Sequence, residues 1–275
     1  LSANTPVPRL SRRGKKSVAR PGFTAEEIRK LLAFMPEWAE SDAHRHTGRQ
    51  IKLLLRDYVE ILLATGMRAG RESLNLLWQH VEWHQAGDQR YLRIWVSGKT
   101  GGRWLIAKHR AAEALERLAI RQKTVGMTLE AAIAAKLPVK VFAYDDGTQP
   151  DAFQGTFKRM LAVAGLSRDA SSGQERTLYS LRHTYATLRL QNGTNVYWLK
   201  KNMGTSVTMI ERHYGQTNVL MGIEHETAKR RKPKKPAAAD AAKKAPKLNK
   251  KQIKADDLVP AGAVDMTPVD DGGDD

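Results

Sequence analysis

The chain has 275 residues, 41% of them hydrophobic, enough for one large folded body or two small ones. With no cysteine it has no disulfide, no thiol nucleophile and no thiolate zinc site, and no apolar run reaches membrane-span length or reads as a signal segment. The net charge is +17: residues 1–20 carry six basic and no acidic residues, residues 227–275 carry twelve basic and eight acidic, and the body between them keeps +7. Basic flanks around a basic body point to a polyanionic partner, most simply nucleic acid.

Residues 1–22 mix Pro, Gly, Ser and basic residues without periodicity and read as a linker or DNA-tracking arm. The first residue is Leu, so the chain is read as a fragment of a longer protein. Order is expected from Phe23. Thr24 and Glu27 form a capping box, with Phe23 and Ile28 placed as a hydrophobic staple, and the helix from Ala25 should stop before Pro36. After a polar loop over 40–48, residues 49–64 form the clearest helix, with Ile51, Leu54, Leu55, Tyr58 and Leu62 on one face. It ends at Thr65-Gly66. Arg68 follows the break, and Glu72 falls in the first turn of a new helix. An arginine at a helix entry, beside unpaired backbone N–H groups, is well placed for an oxyanion.

Residues 80–107 switch to β character, with short runs rich in Val, Ile, Trp and Tyr. A hairpin turn over 97–102 carries Lys99 at its tip. Helices are expected over 110–122, 129–136 and 152–164, the last presenting Phe153, Phe157, Met160, Leu161 and Ala164 on one face and closed by Gly165. Residues 141–144 read as a short extended piece. Three more helices follow, over 180–190, 195–203 and 207–213, with Thr194 and Ser206 as N-caps of the last two. From Thr227 the chain is Lys/Ala/Pro-rich, then acidic, and its composition predicts disorder over 227–275.

Two motifs are set aside. Gly98-Lys99-Thr100 is not a phosphate-binding loop, because Arg93 stands where the first glycine belongs and the segment joins two strands. In His80-Val81-Glu82-Trp83-His84 the glutamate is misplaced for a metalloprotease and the segment reads as strand; His44 and His46 lie in a polar loop without a partner pattern. Neither a nucleotide nor a metal is implied. Taken one at a time, Arg68 with Glu72 could be an ordinary helix-surface ion pair, Arg182 a structural arginine and Tyr214 a core aromatic.

Their order along the chain says more. Thr65-Gly66-Met67-Arg68 with Glu72, Lys99 in a hairpin, Leu181-Arg182-His183-Thr184-Tyr185-Ala186-Thr187, Met203-Gly204 and Tyr214-Gly215 together resemble the catalytic domain of the tyrosine recombinases, the phage-integrase family. The resemblance covers residues 23–216, within a domain taken to span 23–226. It implies an α+β fold, mostly helical, with a small three-stranded antiparallel sheet. It also implies DNA cleavage and rejoining through a 3′-phosphotyrosyl bond, without cofactor or metal. Tyr214 would be the nucleophile, Arg68 and Arg182 the grips on the phosphate, and Lys99 the general acid, with Glu72 and His183 in support. Where the family usually places a histidine, this chain has Tyr179; where it places His or Trp, Thr205; and Arg71 stands at the usual acidic position, with Glu72 one residue later. A phenol with a pKa near ~10 hydrogen-bonds a phosphate but is a poor base at neutral pH, so Tyr179 and Thr205 are read as phosphate supports.

The resemblance further implies double-stranded DNA as partner, a homotetramer on DNA exchanging a C-terminal segment (218–226 here), and a cytoplasmic, nucleoid-associated setting, bacterial or phage-encoded. An upstream core-binding domain, usual in the family, is absent from this sequence. Two alternatives stand beside the enzyme: a DNA-binding relic of the same fold, and a non-enzymatic architectural protein relying on its basic tail.

Overall fold

In the computed structural model, residues 21–41, 46–98 and 101–211 are described. Among these residues, eight α-helices with both ends described and one three-stranded sheet follow in order: α1 (Ala25–Glu40), α2 (His46–Thr65), α3 (Arg71–Leu74), β1 (Val81–Ala86), β2 (Gln89–Gly98), β3 (Gly101–Ala107), α4 (His109–Arg121), α5 (Leu129–Ala135), α6 (Gln154–Ala164), α7 (Leu178–Gln191) and α8 (Val196–Met203). Residues 207–211 are helical up to the edge of the described region.

The helix α2 is the axis of the fold. From Leu53 to Thr65 nearly every side chain is buried, because α1, α4, α6 and α7 all pack on it. Its buried Asp57 accepts from Arg117 Nε at 2.8 Å and Arg121 Nη2 at 2.7 Å, while Glu60 accepts from Arg117 Nη2 at 2.8 Å, so an ion network fixes α4 along α2. The sheet is an antiparallel meander in the order β1-β2-β3, paired from Ala86↔Gln89 at one turn to Gly98↔Gly101 at the other. Alternation along the strands sends Leu92, Ile94, Val96, Leu105 and Ala107 into the main core.

The start of the described chain orients α7. Thr24 and Glu27 make the capping box, with reciprocal bonds of 3.1 and 2.9 Å. Phe23 and Ile28 are both buried, as a staple requires. The Phe23 N–H donates to Thr184 Oγ1 on α7 at 2.8 Å, and the buried Arg176 guanidinium, just before α7, stacks on Phe23 and donates to Glu27 at 2.7 Å.

Four expectations change. The helix α1 runs through Pro36, because Trp38 and Ala39 beyond it are buried, as is Met35 just before it, and their packing offsets the lost backbone bond, roughly 3 kcal/mol. The helix α2 begins at His46, inside the expected loop. Residues 141–144 form no strand; only Lys140 makes an isolated bridge, to Leu77. The buried Gln122 amide instead donates to the carbonyls of Lys140, Val141 and Ala143 at 3.3, 2.7 and 3.2 Å. Finally, Asn195 rather than Thr194 caps α8, its side chain accepting from the Tyr197 N–H at 2.8 Å. Ser206 does act as a cap, accepting from the Met209 N–H at 3.1 Å.

Candidate active site

The C-terminal end of α8 is where the candidate residues gather. Three successive carbonyls there accept from three arginines, one on β3, one on α7 and one in the turn between α2 and α3. Asn202 O accepts from Arg103 Nε at 3.1 Å, Met203 O from Arg182 Nη2 at 2.7 Å and Gly204 O from Arg68 Nη2 at 2.5 Å. Cations are favoured at this end of a helix, where backbone carbonyls lack partners and the dipole is negative. The sequence builds this cap with Gly204, whose φ of 61° is left-handed and where a Cβ would lie 2.7 Å from the Arg103 guanidinium carbon. The turn after α2 is built likewise: Gly66 has φ 66°, and a Cβ there would enter the Tyr185 ring at 2.3 Å.

Glu72, buried on α3, is the one carboxylate among the described residues that pairs with these guanidinium groups. It accepts from the Arg68 backbone N–H and Nη1, both at 2.9 Å, and from Arg103 Nη2 and Nη1 at 2.7 and 3.1 Å. Burial pushes the Glu72 carboxyl up, but bonds from Arg103 and from the Arg68 N–H outweigh it and hold the group below the ordinary glutamate range. Arg182 lies beneath, buried, and also donates from Nη1 to Gly66 O at 2.5 Å. Burial first, and then the charge of Arg68, push Arg182 down to about 10. A guanidinium so shifted is one that would gain from an anion. Each of Arg68 and Arg182 has five N–H donors and spends two on the carbonyls and Glu72 described, leaving donors for an oxyanion.

The expected site residues thus fall into three groups. Arg68, Glu72, Arg182 and Thr205 come together at the α8 terminus, Thr205 following the Gly204 cap with its N–H directed to Lys200 O at 3.3 Å. Tyr179 stands partly exposed in the first turn of α7, edge-on to the buried His183 with ring centres 5.0 Å apart. Lys99 and Tyr214 lie outside the described residues. Sequence reasoning missed Arg103 and Asn202. Arg103 had a signal: in β3 it is in phase with the buried Leu105 and Ala107, so a basic side chain on that face required an acidic partner inside. Asn202 had none, yet its amide joins four elements, donating to Thr65 O at 3.2 Å and Tyr185 Oη at 2.9 Å and accepting from the Ile106 N–H at 2.7 Å. Among the described residues no group of three or more His, Asp or Glu side chains could hold a metal ion, and no helix is long and apolar enough to cross a membrane.

The family model described as "Phage integrase family" matches residues 22–220, spanning this whole site. The chain belongs to the phage integrase family. Among solved structures, this phage integrase domain is similar to XerA recombinase, at 17% identity and TM-score 0.51 over 79% of this chain and 68% of that one. It is also similar to the XerH site-specific recombinase bound to a palindromic difH substrate in a post-cleavage complex, at 19% identity and TM-score 0.50 over 75% of this chain. It spans about half of the XerH chain, 53%. These likenesses establish the fold: mostly helical with a three-stranded antiparallel sheet. No curated protein sequence matches the chain.

Proposed function

We propose that this phage integrase domain cleaves and rejoins double-stranded DNA at a specific site through Tyr214. The Tyr214 oxygen attacks the scissile phosphorus and gives up its phenolic proton to solvent, the P–O5′ bond breaks, and a 3′-phosphotyrosyl bond forms. Lys99 gives its proton to the departing 5′-oxygen, and a 5′-hydroxyl of another strand reverses the step. The phosphotyrosyl ester conserves the bond, so the cycle is balanced without a nucleotide or a metal. Arg68 and Arg182 hold the non-bridging oxygens and stabilise the charge of the transition state, with Tyr179 and Thr205 adding hydrogen bonds. Glu72 and His183 position Arg68 and Tyr179. In this reading the working assembly is a homotetramer on DNA, subunits exchanging residues 218–226.

The observation that carries this reading is the convergence of Arg68 and Arg182, 114 positions apart, on adjacent carbonyls of one helix terminus, with a single carboxylate between three guanidinium groups. Such a site is short of negative charge, as a phosphodiester grip should be. The test is covalent capture on a nicked duplex that releases the 5′ end. The parent chain should yield a protein–DNA adduct resistant to denaturant, and Tyr214→Phe none; an adduct persisting in Tyr214→Phe would assign the nucleophile elsewhere. Tyr179→Phe should slow capture only modestly, and a loss as deep as that of Arg182→Ala would give the phenol a larger part.

A further inference from the structure

Among the described residues, several buried or half-buried arginines are matched by acid: Arg117 by Asp57 and Glu60, Arg103 by Glu72, Arg176 by Glu27 and Asp169. One cationic pair departs from this. Lys108 leads into α4, its backbone N–H bonded to Ala64 O at 3.2 Å and its ammonium 5.9 Å from the centre of the Tyr185 ring. Arg189, in the last turn of α7, places its guanidinium carbon 6.0 Å from the same ring. Both side chains are half-buried, and among the described residues no carboxylate pairs with either. Arg189 Nε is buried with no hydrogen-bond partner. Burial, then the charge of Arg189, push Lys108 down to about 8.

We infer that Lys108 and Arg189 form a second anion site, apart from the Arg68–Arg182 pair, that takes a non-scissile phosphate of the DNA backbone. The inference rests on the DNA-acting function proposed above. Two like charges gathered around one ring, one with an orphaned donor, make an arrangement that an oxyanion completes: it satisfies the guanidinium fork and relieves the repulsion together. Tyr185 contributes the weaker attraction of its ring face and accepts a side-chain hydrogen bond from Arg189, and leaves Arg189 Nε without a partner among the described residues. Arg189 stands seven residues after Arg182 on the same helix, so both fall on one face about 10 Å apart along the axis, with Tyr185 between them. A duplex strand carries a phosphate every ~3.4 Å of its axis, so one strand offers charges over that whole distance. A phosphodiester keeps its charge over the entire pH range in which Lys108 is protonated, and the net charge of the body makes a polyanion the natural partner.

The test is the salt dependence of duplex binding by the full chain, read by fluorescence anisotropy. Removing both contacts in Lys108→Met/Arg189→Met should flatten the slope of log K against log salt by about 1.8, two contacts at about 0.9 each, and Lys108→Met alone by about 0.9. The loss should be similar on unrelated duplexes, since phosphates carry no sequence. Lys108→Arg should keep the parental slope. Because Lys108→Met removes an unneutralised cation, it should melt no lower than the parent. A parental slope in either Met variant overturns the site, and so does a clear drop in the melting temperature of Lys108→Met, which would make the lysine a structural member. Covalent capture by the parent reports on the underlying reading: a parent that captures DNA while the double variant keeps its slope overturns the second site alone, and a parent that neither binds nor captures overturns both.

Discussion

Arg103→Met isolates the residue that holds the candidate site from beneath. Arg103 makes two charge-assisted bonds to Glu72 and one to Asn202 O, with a side chain only 13% exposed. Methionine keeps most of the stem and removes all three bonds. Breaking a buried pair costs about 3–5 kcal/mol when the remaining charge is left alone. Glu72 still has the Arg68 N–H and guanidinium, so the lower end applies, about 3 kcal/mol at neutral pH. For a domain of this size that lowers the melting temperature by about 6–12 °C. The pH dependence supplies the second check. In the parent the folded-state Glu72 pKa is depressed, so its contribution is present above the unfolded value near ~4.3 and is lost as pH falls through the folded one. Without Arg103 the largest opposing bond is gone and burial dominates, raising the carboxyl. The variant is then penalised at pH 7, where Glu72 must be charged, and much less at pH 4, where it is protonated. Thermal melts of parent and variant at both values should therefore converge on acidification. A gap that is absent at pH 7, or that stays constant down to pH 4, would refute the account of Glu72 as a carboxylate held charged by Arg103.

Gly204→Ala should lower stability by about 1–3 kcal/mol in a denaturant titration, since it imposes a left-handed φ on alanine and drives a methyl into the Arg103 guanidinium. It should also displace the carbonyl that Arg68 holds, so adduct formation should fall more steeply than the change in folded fraction explains. Gln122→Leu removes an amide that accepts from Trp78 Nε1 at 2.9 Å and serves three loop carbonyls. Each orphaned buried group costs about 1–3 kcal/mol, so a melting temperature within a degree or two of the parent would show that the loop over 140–143 finds other donors.

Legibility in the sequence followed the range of the interaction concerned. The capping box at Thr24 depends on four consecutive residues and formed as expected, and the alternation in 80–107 gave a three-stranded meander because neighbouring strands joined by short turns pair with each other. Pro36 was misjudged because a local rule met a tertiary force: the buried side chains beyond it outweigh one lost hydrogen bond. Thr194 and Asn195 are both good caps standing side by side, and composition cannot choose between them. In the candidate site, Arg68, Glu72 and Arg182 were legible because they sit in compact motifs. Arg103 and Asn202 were not singled out: the strand alternation marks Arg103 as inward-facing but does not name its partner, Glu72, 31 positions away, and Asn202 acts through partners 17 to 137 positions away that no local pattern reveals.

The three carbonyls at the end of α8 have a consequence for the timing of recognition. A free arginine side chain holds about 2 kcal/mol of rotamer entropy, which an incoming ligand must ordinarily suppress. Here Asn202, Met203 and Gly204 have already frozen three of them during folding. The peptide oxygens act as a resident mould that holds the three guanidinium groups side by side at one helix terminus. An oxyanion arriving there meets a surface that has finished rearranging, so its binding energy goes into the contact itself.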